Sequence, residues 1–132
     1  MASTVTELLR RRFGGKKEAV LLVDAMMNFF IRFLDGTVPP NNDFFYTTPI
    51  NVNAGDEVVF SCYGGGSTAV IAKFNGVSEY YTGLVKGSGS TTYKTYTYTM
   101  TEDCQIAFSA KIGVNDAVAT INGKNVTINY PQ

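Results

Sequence analysis

The sequence contains no histidine. That absence removes Ser–His–Asp and Cys–His catalytic arrangements and every histidine-ligated metal site. Cysteine is scarce as well, with Cys62 and Cys104 far apart, and two thiols alone do not make a zinc site. Long apolar runs are also missing. The stretch EAVLLVDAMMNFFIRFLDG (18–36) is interrupted by Asp24, Asn28 and Arg32, and its longest clean run is Ala19 to Val23. A signal h-region needs roughly 7–15 unbroken apolar residues and a membrane-spanning helix about 20, so the sequence predicts neither export nor membrane insertion.

A broad basic face is lacking too. Lysine and arginine total 11 against 11 aspartates and glutamates, for a formal net charge of zero. The balance is uneven along the chain. Up to Lys17 there are Arg10, Arg11, Arg12, Lys16 and Lys17 against Glu7, a formal +4; the remaining six bases and ten acids give −4. No zinc spacing, RNP-like strand or Gly-Lys phosphate loop accompanies the short basic cluster, so nucleic acid is not an expected partner. A basic leader in front of an acidic body is instead complementary to a neighbouring protein or to another copy of itself.

What the chain does have is enough apolar content, 45% of 132 residues, for one domain with a real core. From Asp35 onward it reads as strands separated by turn signals. These are Asp35-Gly36, the proline-containing loop Val38–Asp43, Asn53–Asp56, Asn75-Gly76, the Gly/Ser-rich Lys86–Ser90, Glu102-Asp103 and Asn122-Gly123. Alternation places Val58, Phe60 and Cys62 on one face of a strand and Val59, Ser61 and Tyr63 on the other. In the same way Tyr96, Tyr98 and Met100 oppose Thr95, Thr97, Thr99 and Thr101, and Cys104, Ile106, Phe108 and Ala110 share one face. The expected fold is mainly β, an antiparallel β-sandwich or jelly roll over residues 18–132, behind an extended or short helical basic leader over 1–17. Phe29–Leu34 is expected as a strand because Phe29, Ile31 and Phe33 alternate; Lys17–Met27 fits helix or strand equally well.

Candidate site residues are few. Asp56, Glu57, Glu102 and Asp103 lie in adjacent pairs at turns, which is the pattern of capping acids and not of two facing catalytic carboxylates. With no cofactor-binding motif either, the sequence predicts no enzyme and no cofactor. Cys62 and Cys104 read as small buried hydrophobes, with a disulfide as the alternative. Tyr80, Tyr81 and Tyr93 are candidates to offer rings to a glycan or partner surface; core packing is the competing use. The strand Thr91–Thr101 carries a single charge, Lys94, and no proline. It is therefore expected to be either central or an edge closed by another subunit of a dimer or trimer.

The opening MASTVTELLRRR followed by Gly14-Gly15 resembles the N-termini of small virion proteins of tailed phages of gut Bacteroidales, including crAss-like phages. The stretches TPINVNAGDEVVFSCYGGGSTAVIAKF (48–74) and YTYTMTEDCQIAFSAKI (96–112) resemble β-sandwich modules of phage structural and fibre proteins and of carbohydrate-binding regions. The resemblance implies a capsid-decoration or head-fibre subunit at the virion surface, assembled in the bacterial host cytoplasm from other virion proteins as partners. Its leader would dock through Leu8 and Leu9 as apolar anchors and Arg10, Arg11 and Arg12 as charge-assisted contacts, hinged at Gly14-Gly15. A glycan-binding module adhering to a host surface is the alternative function.

Overall fold

The computed structural model describes residues 21–113 and 117–131. Ten strands follow one another: β1 (Leu21–Phe29), β2 (Pro40–Thr47), β3 (Ile50–Val52), β4 (Glu57–Gly64), β5 (Ala69–Phe74), β6 (Tyr81–Lys86), β7 (Gly89–Thr99), β8 (Cys104–Lys111), β9 (Val118–Ile121) and β10 (Lys124–Asn129). No helix occurs among the described residues. Nine strands form one continuous path, β6-β5-β8-β2-β1-β10-β9-β4-β7, with β3 also paired to β8. The path rolls up until it is nearly closed, like a barrel.

Most turns are where the sequence places them, although the expected Lys86–Ser90 loop shrinks to Gly87 and Ser88, because Lys86 ends β6 and Gly89 begins β7. Asn122 and Gly123 both take positive φ (53° and 81°), the two-residue turn whose twist suits a tight hairpin, here β9–β10. The alternating faces also hold: Val58, Phe60 and Cys62 are buried, as are Tyr96 and Met100, while Thr95, Thr97 and Thr99 are exposed. Inside the roll, β4 lies over β8, and the Phe60 and Phe108 rings meet with centroids 4.8 Å apart.

Three expectations need correction. The sheet is not wholly antiparallel, because β1 runs parallel to β10 over Leu21–Asp24 and then antiparallel to β2 over Ala25–Phe29. β2 begins inside the expected Val38–Asp43 loop, at Pro40, where proline is tolerated as the first residue of a strand. Phe29–Leu34 is not a strand: β1 ends at Phe29, after a register break at Asn28 (φ 75°), and beyond it only Arg32 makes an isolated bridge, to Thr68.

That last segment has another task. It folds back over the outside of β5, β8 and β2, where Ile31 is fully buried with Tyr46, Ala69, Ala72, Tyr81 and Ala107. The alternation of Ile31 and Phe33 thus records packing onto a sheet, not pairing within one. Backbone bonds hold it down: Ala69 N–H to Ile31 C=O (2.8 Å) and Phe33 N–H to Ser67 C=O (2.9 Å). Ser109 Oγ accepts the Ile31 N–H (3.1 Å) and donates to Phe45 C=O (3.0 Å), satisfying polar groups that burial would otherwise strand. The Phe33 ring rests on Gly83, where a Cβ would stand 2.5 Å from a ring carbon. β8 is therefore buried on both faces.

Removing most of the Ile31 side chain should unload this second layer. Ile31→Ala is expected to cost about 2–4 kcal/mol, read as a lower urea midpoint at unchanged slope. Thr68 is the opposite case, fully buried with a hydroxyl that has no hydrogen-bond partner. Thr68→Val should leave the midpoint unchanged or raise it; a loss above about 1 kcal/mol would contradict that assignment. The turn at Asp35 supplies a pH signature. Its carboxylate accepts from Thr37 Oγ1 (2.7 Å), Thr37 N–H (3.1 Å) and the Arg32 guanidinium, and these bonds, led by the Thr37 hydroxyl, lower its pKa from 3.8 to about 2. A depressed carboxylate stabilises above its unfolded pKa and loses that contribution as pH falls through the folded one. The Thr37 amide resonance should therefore titrate with a midpoint near 2; a midpoint near 4 would show that the turn is not held this way.

Candidate functional site

The leader residues Leu8, Leu9, Arg10, Arg11 and Arg12 lie outside the described residues. The three candidate tyrosines do not form one platform. Tyr81 is a core residue, 4% exposed, and its ring packs against Tyr46 (6.1 Å) and Phe74 (5.5 Å) in the second layer. This overturns its expected surface role. Burial of Tyr81 pushes its phenol up to about 12, so it stays neutral. Tyr80, next in sequence, is 49% exposed in the β5–β6 hairpin, with its N–H bonded to Val77 C=O. Tyr93, 37% exposed, is on β7, beyond the opposite end of β6.

Tyr93 adjoins a groove through its neighbour Tyr63. Its ring meets Tyr63 edge-on, with centroids 5.3 Å apart. Strand alternation turns Tyr63 outward with Val59 and Ser61, and the β4–β7 pairing brings the two tyrosines together beyond Ser61 and Thr95. Beside them Tyr63, Ser90, Thr91, Lys111, Ile112 and Gly113 line a groove of about 490 Å³. A second hollow, about 250 Å³, shares Lys111, Ile112 and Gly113 and is closed off by Phe45 and Tyr130, whose rings meet at 5.4 Å. Ile112 N–H to Asp43 C=O (2.7 Å) fixes the wall between them. Rings, two hydroxyls and one ammonium can hold a neutral or anionic polar ligand such as a sugar. Tyr63 and Lys111 were not singled out by the sequence. The outward alternation of Tyr63 is visible there; its pairing with the strand of Tyr93 is not.

The turn acids are occupied in holding turns together. Asp56 accepts from Asn53 N–H (2.8 Å) and Asn122 Nδ2 (2.8 Å), which lower its pKa, with the Asn53 bond the larger cause. Asp103 accepts the Ala54 N–H (2.8 Å), and Glu102 pairs with Lys73 Nζ (3.0 Å). Among the described residues no group of three or more His, Cys, Asp or Glu is placed to hold a metal ion.

Both cysteines are free thiols. Cys62 sits in the core, where desolvation pushes it up to about 12; Cys104 is half-buried, and burial raises it less.

No family model, curated protein or solved structure matches the chain.

The two thiols differ enough to be told apart. Ellman titration of the native protein near neutral pH should count about one thiol, that of Cys104, with Cys62 reacting only on unfolding. Two fast-reacting thiols, or a mass two protons low in the untreated protein, would contradict the assignment of Cys62 to the core.

Proposed function

We propose that the chain is a virion structural subunit, a capsid-decoration or head-fibre protein. Its body would be a two-layered sandwich of jelly-roll type, and it would dock to the particle through the basic leader of residues 1–17. Its partners would be other virion proteins and further copies of itself, with assembly in the bacterial host cytoplasm and residence on the head surface. The observation that carries the reading is an outer sheet face whose one charge on β4, β7 and β9 is Glu57 at its end, and which runs out to an unpaired strand. Val118 and Thr120 of β9, Glu57, Val59 and Ser61 of β4, and Thr95, Thr97 and Thr99 of β7 lie on that face, and β7 pairs with β4 alone among the described strands. Charged residues normally guard such an edge, and on β7 there is only Lys94. The division of charge, +4 in the leader against −4 in the remainder, supports docking of one chain on another.

A second reading has its own observation. The Tyr63–Tyr93 pair beside Lys111 and the 490 Å³ groove favours a glycan-binding module that attaches its carrier to a host surface.

The two readings part on simple measurements. Supplied during particle production, the full chain should be found in mature particles by mass spectrometry, and a chain lacking residues 1–15 should fold but be missing from them. Normal incorporation of the truncated chain would refute docking by the leader. The glycan reading instead requires the isolated protein to be retained on a glycan array and Tyr63→Ala to abolish that retention.

A further inference from the structure

The free edge of β7 has a definite hydrogen-bonding face. Met100 N–H bonds Asp56 C=O (2.8 Å), and this pair continues the register in which Tyr98 opposes Val58 and Tyr96 opposes Phe60. In an antiparallel ladder, residues alternate between sending both backbone groups to the neighbour and sending both away. Met100, Tyr98 and Tyr96 thus bond towards β4, and Thr95, Thr97 and Thr99 direct N–H and C=O away from it. No described strand receives them. The register irregularity of this ladder lies further back, between Cys62 and Gly64, so the Thr95–Thr99 stretch is regular.

We propose that two copies of the chain join through this edge. β7 of one copy pairs antiparallel with β7 of the other about a two-fold axis at Thr97, extending the β10-β9-β4-β7 half across the dimer. The register follows from the pattern of groups. Thr97 opposes its own symmetry mate and Thr95 opposes Thr99 of the second copy, so every outward N–H and C=O from Thr95 to Thr99 finds a partner. Self-complementarity of this kind is what an isologous interface requires.

Lys94 selects this register. It is exposed and is the only charge on β7. With the axis at Thr97, Lys94 opposes Met100 of the second copy, beside the turns that carry Asp56, Glu102 and Asp103 there. Lys73 pairs with Glu102 in each copy and Lys124 opens β10 at the same end, so Asp56, Glu57, Glu102 and Asp103 leave that end net acidic. An axis at Thr95 would instead set Lys94 opposite Tyr96, away from those acids. A lysine that discourages arbitrary strands at the edge is therefore complementary in one arrangement. The inference rests on the assembly reading for its purpose but not on the leader.

The test uses the full chain at tens of micromolar, with mass read by light scattering. A dimer is expected. Thr97→Pro removes an N–H that faces away from β4, so the folded spectrum should persist while the dimer Kd rises at least about tenfold. Lys94→Glu, at an exposed position, should weaken the dimer several-fold at low salt, an effect that disappears near 1 M. Thr97→Cys in a Cys104→Ser background should cross-link under oxidised glutathione, because the facing Cα atoms would be about 5.5 Å apart. The chain lacking residues 1–15 should remain dimeric, so failure of leader docking and failure of this interface are distinguishable. A strictly monomeric full chain overturns the proposal. So does a dimer that neither Thr97→Pro nor Lys94→Glu weakens, or a folded Thr97→Cys variant that stays uncross-linked.

Discussion

Strand β1 belongs to both halves of the molecule, and the rest of the architecture depends on that. Its first residues bond β10 and its last bond β2, with the change of partner at Asp24 and Ala25. Asp24 is clamped at the change. Its N–H goes to Thr48 Oγ1 (2.9 Å), its C=O accepts the Thr48 N–H (2.9 Å), and its carboxylate accepts from Asn129 Nδ2 (3.2 Å). Without this hand-over β2 and β10 would each become an open edge, and the path would break into two sheets with four edges to protect. Val23 and Ala25, on either side of the clamp, are buried in the shared core, so a slip of one residue here would turn both outward.

The two halves then meet solvent differently. On the β5-β8-β2 half, the segment following β1 supplies a second layer, made possible by small residues underneath: Ala69, Ala72 and Ala107 are all fully buried. Gly36 lets the returning chain come against Tyr81, whose N–H bonds Gly36 C=O (3.0 Å), at a φ of 72° that a side chain would strain. The β10-β9-β4-β7 half has no such cover among the described residues, and its outer positions are mostly threonine, serine and valine, with Tyr63 and Tyr93 at one end and Glu57 at the other. At the seam where the roll almost closes, Tyr96 Oη accepts the Ser88 N–H (3.1 Å) and so ties the link between β6 and β7 to the inside of β7. The closure that stabilises the roll is thus made at the start of β7, and the later threonines stay on an edge.

Much of this was legible in the residues, and what was not has a common cause. Turns carry their chemistry locally: Asn122-Gly123, Asn75-Gly76 and Asp35-Gly36 need positive φ at glycine, and the sequence marks each one. Alternation also reads correctly wherever a strand has one wet face, as at Thr95–Met100. It fails where a second layer buries both faces. Tyr81 looks like a surface ring beside Tyr80 because nothing near it in sequence reveals that Ile31 and Phe33 return to cover it. The parallel β1–β10 pair joins residues about a hundred positions apart, and no local pattern encodes it. The groove tyrosines show the same limit, since Tyr63 and Tyr93 each alternate outward and become a pair only through the β4–β7 register.

The register also locates the charge. Leu21 lies in the same row as Val126, Ala119, Phe60 and Tyr96, and β1 runs from there away from the end that holds Glu57, Thr99 and Asn122. The chain therefore enters the sheet from its acidic end. Covalent reach alone keeps Lys17 within about 14 Å of Leu21, whatever path lies between them. Arg10 to Arg12 stand nine or more residues before Leu21 in sequence, so covalent reach allows them to lie farther from it than Lys16 and Lys17 can. Any contact between the basic leader and an acidic surface is screened by salt, which makes that charge a means of orientation and on-rate more than of affinity.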